Sequence, residues 1–344
     1  MKKAKDKEMY RNIFLKVISL LLLLSLVTGC GKSEAPEKKQ LVLCSSMGRQ
    51  LTELFADSYA KATGTKVKIS YLPAGTQKER FDYLRQNKFD VWLGGTSEEY
   101  FLADEQKLLQ PYIVKEAYKV PAQLRNRTGQ WTSLYLSYIA FLSNKNNLHA
   151  YGLYAPETME ELLTPQLKDE IVLADFNLGG ASYGLITSIW QLRGKKEALD
   201  FAAKLNAQSP EYTKGFGEAV DKVYIGKKTV AVVPLDYALR LERQHSHLFA
   251  TVVQDANRNM LTCAAIMRNA AHVEEAQGFL DYLMSDEGME LLPGNGYHYI
   301  WHVKKYPYND GRRELLGNIS APVDDLGWTA GAKSEIIRQW LQAK

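Results

Sequence analysis

The sequence predicts an α/β protein built as two doubly wound lobes. Three observations predict it. Short apolar runs alternate with amphipathic helical patterns from Gln40 onward, the links between them are short, and a second alternating unit starts at Ile171 without repeating the first in sequence. Leu41-Val42-Leu43-Cys44 reads as the first strand and stops at Ser45-Ser46, a pair suited to capping a helix. Leu51, Leu54, Phe55, Tyr59 and Ala62 recur at helical spacing, and Gly64 closes that helix. Lys66 to Tyr71 alternates with period two, which predicts a strand with one covered face, ended by Pro73 and Gly75. Phe81 and Leu84 mark a short helix, Phe89 to Leu93 a third strand that runs into Gly94-Gly95-Thr96, and Tyr100 to Leu108 the next helix.

Tyr138 to Leu142 is a further strand, followed by a loop-rich passage punctuated by Pro156 and Pro165. In the second unit the strand Ile171-Val172-Leu173 leads through Asn177 to Ser182 into a helix over about Tyr183 to Leu192, then another over Glu197 to Leu205. Helix 216–224, strand Thr229 to Pro234 and helix Asp236 to Arg243 complete it. Ile336, Ile337, Trp340 and Leu341 share one helical face and predict a terminal helix packed on the first lobe. Tyr297 to Tyr308 is unusually aromatic and reads as an edge strand of that same lobe.

The N-terminus carries a targeting pattern. Lys2, Lys3, Lys5, Lys7, Arg11 and Lys16 precede an apolar run from Val17 to Val27. Eleven residues rising about 1.5 Å each fall short of a hydrocarbon core roughly 30 Å thick, so a cleaved leader is expected over 1–29. Leu26-Val27-Thr28-Gly29-Cys30 resembles the lipobox of bacterial lipoproteins, which implies fatty acylation of Cys30 and attachment to the outside of a membrane. Residues 30–39, polar and containing Pro36, read as a flexible tether.

Removing the leader takes six basic and two acidic residues with it, so the full sequence's surplus of four positive charges belongs to the leader and the mature chain is neutral. That balance offers nothing to nucleic acid, and any ligand charge must be met by a few placed groups. Cys44 and Cys263 lie in apolar strand-like runs and are expected as buried free thiols, with a disulfide left open. No Cys/His spacing suggests a metal site or cofactor. A nucleophile elbow, an H-E-x-x-H helix and a phosphate loop are all expected to be absent, so no enzyme is indicated.

Several stretches together resemble the type II periplasmic binding proteins. They are LVLCSSMGRQLTELFADSYAKATGTKVKISYL, FDVWLGGTSEEY, GKKTVAVVPLDYALRLE and VEEAQGFLDYLMSDEGMELL, in an order that covers Gln40 to about Leu292. The nearest subgroup is that of the ferric-iron and organophosphate binding proteins. The resemblance implies two Rossmann-like lobes joined by hinge strands, with the first split over 40–141 and 258–344 and the second at 142–257. It also implies a monomer that captures a small solute in the cleft and docks on an ABC permease.

In such sheets ligands collect where strands end and helices begin. That places Ser45 and Ser46, Gly95 and Thr96, and Gly180, Ala181 and Ser182 at the predicted cleft, where small residues and free N–H groups at helix starts suit an anion. Asp236, Tyr237 and Arg240 can share a helix face, with Arg240 gripping an anion and Tyr237 donating its hydroxyl; an Asp236–Arg240 ion pair is the plainer reading. Tyr135 is a further wall candidate. An organophosphate, a phosphonate or an organic acid is therefore the expected ligand. Ferric iron is the alternative, and relatives that bind it present adjacent tyrosines where this chain has Tyr237 alone, so its donors here are Tyr237, Tyr135, Tyr138 and Tyr183. Presenting the ligand to a two-component sensor is the alternative to import.

Overall fold

The computed structural model describes residues 39–73, 75–178, 180–292, 298–299, 319, 321 and 325–343. The expected leader, Cys30, the tether up to residue 38 and most of the aromatic stretch 297–308 lie outside the described residues.

The first sheet starts with β1 (Gln40–Ser45), α1 (Arg49–Thr63) and β2 (Lys66–Tyr71), then α2 (Gln77–Gln86), β3 (Val91–Thr96) and α3 (Ser97–Glu105). Gly64 ends α1 in the left-handed region at φ 74°, and Thr76 with Glu79 forms a reciprocal capping box at the start of α2. After β4 (Leu109–Gln110) the chain enters β5 (Thr132–Ser137). A single residue, Tyr138, then separates β5 from β6 (Ile139–Asn144), which belongs to the other sheet.

The second sheet continues with α4 (Lys145–Tyr151), β7 (Ile171–Ala174), α5 (Gly180–Ala207), β8 (Glu211–Thr213), α6 (Phe216–Tyr224), β9 (Val230–Pro234), α7 (Leu235–Gln244) and β10 (Leu248–Val252). Gly194, at φ 85° and ψ 166°, breaks α5 into the two helices the sequence predicts on either side of it. The chain returns to the first sheet as β11 (Met260–Met267), followed by α8 (Val273–Met284), α9 (Asp286–Glu290), β12 (His298–Tyr299), α10 (Leu326–Gly331) and α11 (Lys333–Gln342).

The strand orders are β12-β5-β11-β3-β1-β2 and β10-β6-β9-β7-β8. In each, three strands wind in parallel, and the strand beside them runs antiparallel and arrives from the other sheet. Alternation along these strands fills both faces. Leu41, Leu43, Val91 and Leu93 enter one core while Cys44 and Trp92 enter another.

Among the described residues two stretches join a strand of one sheet to a strand of the other, Tyr138 and residues 253–259. Asn257, fully buried, joins them: its Oδ1 accepts from the N–H groups of Ile139 and Arg258, and its Nδ2 donates to the carbonyls of Ile139 and Val253, at 2.7 to 3.0 Å.

Two expectations are corrected. The terminal helix packs on the second sheet, where Trp340 meets Phe176 and Phe201 with ring centroids 6.3 and 6.0 Å apart. The first crossing falls at Tyr138, ahead of the boundary expected at 142, because β6 pairs with β9 from Ile139 onward. Cys44 and Cys263 are free and buried. The strand β3 lies between theirs, so two strand spacings of about 4.8 Å exceed what a disulfide spans.

Candidate functional site

The turn that ends β3 is shaped by two glycines. Gly94 and Gly95 have φ of 84° and 96°, where side chains are disfavoured. A Cβ on Gly94 would lie 2.9 Å from the Met47 amide nitrogen, and one on Gly95 2.7 Å from a Glu99 carboxylate oxygen. Below the turn, Trp92 and Tyr100 stack at 4.1 Å, and the Tyr100 hydroxyl sits 2.8 Å from the Gly94 carbonyl oxygen to which it donates. This aromatic floor fixes where the start of α3 points.

Two carboxylates of that first turn are neutralised in different ways. Glu99 accepts from the Thr96 amide at 3.1 Å and pairs with Arg80 of α2. Arg80 also donates to the Ser46 hydroxyl at 3.4 Å, and that oxygen accepts from the Trp92 indole at 2.9 Å. Glu98 pairs with Arg258 of the second crossing at 2.8 Å, and Arg258 donates to Thr187 of α5 at 3.1 Å. Burial pushes the Glu98 carboxyl up, but Arg258, its own amide, Thr96 and Lys333 outweigh that and hold it below the usual range. The chain Glu98–Arg258–Thr187 thus links α3 of the first sheet to α5 of the second.

Lys333, the first residue of α11, donates to the Asn177 carbonyl at 2.8 Å, with its ammonium 5.1 Å from the Tyr183 ring centre. Burial lowers its pKa, Glu98 and Glu99 oppose that, Arg80 adds to it, and Asp175 opposes it. A second cluster lies at the first crossing. The Ser137 hydroxyl donates to buried Asp236 at the start of α7 and accepts from the Asp236 amide at 3.3 Å. Burial raises the Asp236 carboxyl above its ordinary range against the pull of Ser137 and Arg240. The Arg240 guanidinium lies 4.7 Å from the Tyr237 ring centre, and Phe216 meets the same ring edge-on at 5.0 Å.

The family model for bacterial extracellular solute-binding proteins matches residues 40–298. The chain belongs to that family. Its relatives include an uncharacterized protein of Haemophilus influenzae, 29% identical over 296 residues and covering 82% of each chain. The Fe(3+)-binding periplasmic protein of Serratia marcescens is 23% identical over 287 residues, 80% of this chain and 82% of its own. Among solved structures, the periplasmic binding protein AfuA of Actinobacillus pleuropneumoniae, with fructose-6-phosphate bound, superposes with a TM-score of 0.73 at 22% identity, covering 89% of this chain and 99% of its own. Iron-bound HitA of Pseudomonas aeruginosa gives 0.73 at 17%, covering 88% and 99%. These likenesses establish the two-lobed type II fold.

This is a solute-binding protein of the ABC-transporter type, whose family implies a small-molecule ligand and a permease partner. The family and its solved relatives are substrate-binding proteins, and the named relatives are periplasmic. No helix among the described residues is long and apolar enough to cross a membrane.

The expected site residues divide. Ser46, Thr96, Gly95 and the start of α5 at Gly180 lie on the loops just described, and Gly180 has open space where a Cβ would stand. Ser45 is a correction. Its hydroxyl is buried, shared with Thr52 at 2.8 Å and accepting from the Met47 amide at 3.0 Å, so it braces the turn from inside. Nor does Ser45 or Ser46 cap α1, whose N-cap is Gly48. Ala181 and Ser182 are buried at the start of α5. Asp236, Tyr237 and Arg240 do share one face, beside the first crossing.

Among the tyrosines considered for iron, Tyr135 and Tyr138 are buried in the core at that crossing, and the Tyr183 hydroxyl donates to the Thr329 carbonyl at 2.5 Å. Among the described residues no group of three His, Cys, Asp or Glu side chains is placed to hold a metal.

Gly180-Ala181-Ser182-Tyr183-Gly184 does carry G-x-S-x-G spacing, contrary to the expectation that no such elbow occurs. Ser182 is inside a helix and buried, and none of the described residues stands within hydrogen-bond reach of its hydroxyl as a base would. Sequence reasoning missed Arg80, Glu98, Glu99, Arg258, Asn257 and Lys333. Only Glu99 had a local signal, as the fourth residue of Thr96-Ser97-Glu98-Glu99, a capping-box pattern.

Proposed function

We infer that the protein is the substrate-binding lipoprotein of an ABC importer and captures a small anionic solute, namely an organophosphate, phosphonate or organic acid. The solute sits in the cleft between a lobe built on 40–137 and 260–299 and a lobe built on 139–252. The observation that carries this reading is the Arg80 guanidinium at the Ser46 hydroxyl, beside the first turn of α3, with α5 joined to the same place through Arg258. Arg80, its charge shared with Glu99, supplies directional donors, and the helix starts supply N–H groups, the combination that suits an oxyanion. The fructose-6-phosphate bound by AfuA supports the same ligand class. Capture makes and breaks no bond, and no cofactor is required. The mature chain acts as a monomer, anchored through acylated Cys30 and facing the periplasm or exterior.

Ferric iron remains the second reading because the Serratia relative is named for it and HitA holds it. The separated tyrosines weigh against it. A melting screen of residues 31–344 against fructose-6-phosphate, inorganic phosphate, aminoethylphosphonate, citrate and ferric citrate decides between them. A ligand at 100 times its dissociation constant adds about 2.7 kcal/mol to stability. A shift with ferric citrate and none with citrate or the phosphorus compounds overturns the anion reading. Labelled palmitate entering the wild-type chain but not Cys30→Ser tests the anchor. A neighbouring kinase gene in place of a permease gene would favour sensing over import.

A further inference from the structure

Helices α10 and α11 touch both lobes. On the first, α10 packs against α3, with Leu326 set against the core that holds Trp92 and Tyr100. On the second, the Thr329 carbonyl accepts from Tyr183, the Trp328 ring lies 5.9 Å from that of Trp190, and Ile336, Ile337 and Trp340 fill the core under α5. The pair forms a strap across the place where the lobes meet, and Lys333 stands at the bend between its two helices.

The carboxylates around Lys333 are already engaged, Asp175 with the amide and side chain of Asn177. Glu98 is held by Arg258 and Glu99 by Arg80. Among the described residues no carboxylate lies within 4.0 Å of the Lys333 ammonium, and its one hydrogen-bond acceptor is the Asn177 carbonyl oxygen. Among the described residues two of its three N–H donors are thus left over, near enough to Arg80 and to the first turn of α3 to feel their charges. Glu98, Glu99 and Asp175 act on it from a distance, but among the described residues none bonds its ammonium, and a half-buried cation gains from an anion in direct contact. Its lowered pKa points the same way, since an incoming anion would favour the charged form.

We propose that Lys333 is a ligand-contacting residue, delivered by the C-terminal strap, that takes the anionic group of the solute between the two lobes. This rests on the anion reading and adds to it. Lys333 grips the ligand's charge, while the strap that carries it is fixed to both lobes, so binding at Lys333 and the approach of the lobes are coupled through one short element.

Calorimetric titration of wild type, Lys333→Met and Lys333→Arg with fructose-6-phosphate, inorganic phosphate, aminoethylphosphonate and citrate tests this. The expected result is binding about 10- to 100-fold weaker in Lys333→Met, the size of one charge-assisted hydrogen bond, with most of it recovered in Lys333→Arg. Equal affinity in wild type and Lys333→Met overturns the assignment of Lys333 and leaves anion capture standing. No binding of any of the four anions by wild type overturns both. Acetylation of Lys333 in the wild-type chain, followed by peptide mass spectrometry, gives a readout that needs no variant. A bound anion slows acetylation if the ammonium touches it, and an unchanged rate overturns the proposal.

Discussion

Asn257 holds Ile139 by both backbone groups, accepting from its N–H at 2.8 Å and donating to its carbonyl at 3.0 Å. One side chain thereby ties together the two stretches that pass between the sheets. Its amide is fully used, with two bonds accepted and two donated.

Asn257→Ala takes the buried acceptor away from the N–H groups of Ile139 and Arg258, while the Ile139 carbonyl keeps the Val253 amide at 3.2 Å. A loss of about 2–4 kcal/mol is expected from two or more unmade buried hydrogen bonds. Urea unfolding of wild type and variant measures it, and a loss under about 0.5 kcal/mol would mean that water or a shifted backbone replaces the amide.

Removing one member of the Glu98–Arg258 pair leaves the other charge buried. Glu98→Gln or Arg258→Met alone should cost about 3–5 kcal/mol, and the double variant should recover part of it. Because the Glu98 carboxyl is held below its ordinary pKa, its contribution is complete above the unfolded value near 4.3 and is lost as pH falls through the lower folded value. The stability gap between wild type and Glu98→Gln should therefore close in acid, which denaturant midpoints across that range will show.

Asp236 has the opposite sign. Burial raises its folded pKa, so the folded state holds the proton more tightly and wild type loses stability as pH rises from about 3.9 through the folded value. Asn at this position can still accept from Ser137. Asp236→Asn should flatten that part of the pH profile, and parallel profiles would show that the buried carboxyl is not raised.

Gly94→Ala places a Cβ 2.9 Å from the Met47 amide nitrogen at a φ of 84°. A cost of about 1–3 kcal/mol is expected, with a lower melting temperature and weaker ligand binding as the turn that sets Glu98 and Glu99 is displaced. An Ala variant that melts with wild type would show that the turn readily rearranges.

The doubly wound pattern was legible because most of its elements carry local signals. The spacing from Leu51 to Ala62 is α1, the run ending at Pro234 is β9, and helix 216–224 is α6 to the residue. β5 was missed for a physical reason. All its residues are buried, so no alternation marks it, and Tyr138 alone separates it from β6 where a turn would normally signal a break. The site was legible only where strands end. Ser46, Gly95 and Thr96 follow from that rule, whereas Arg258 and Lys333 reach their partners from distant parts of the chain. The inward turn of Ser45 depends on Thr52 and could not be told from an outward one.

The position of Trp340 also governs when the second lobe can finish folding. Asn206 donates to the Trp340 carbonyl at 3.0 Å across a sequence separation of 134 residues. At synthesis rates of ~5–20 residues per second, that partner emerges on the order of ten seconds after α5 does. Phe176 and Phe201 lack their shared ring partner through that interval, so the core of the second lobe closes only after α11 is made.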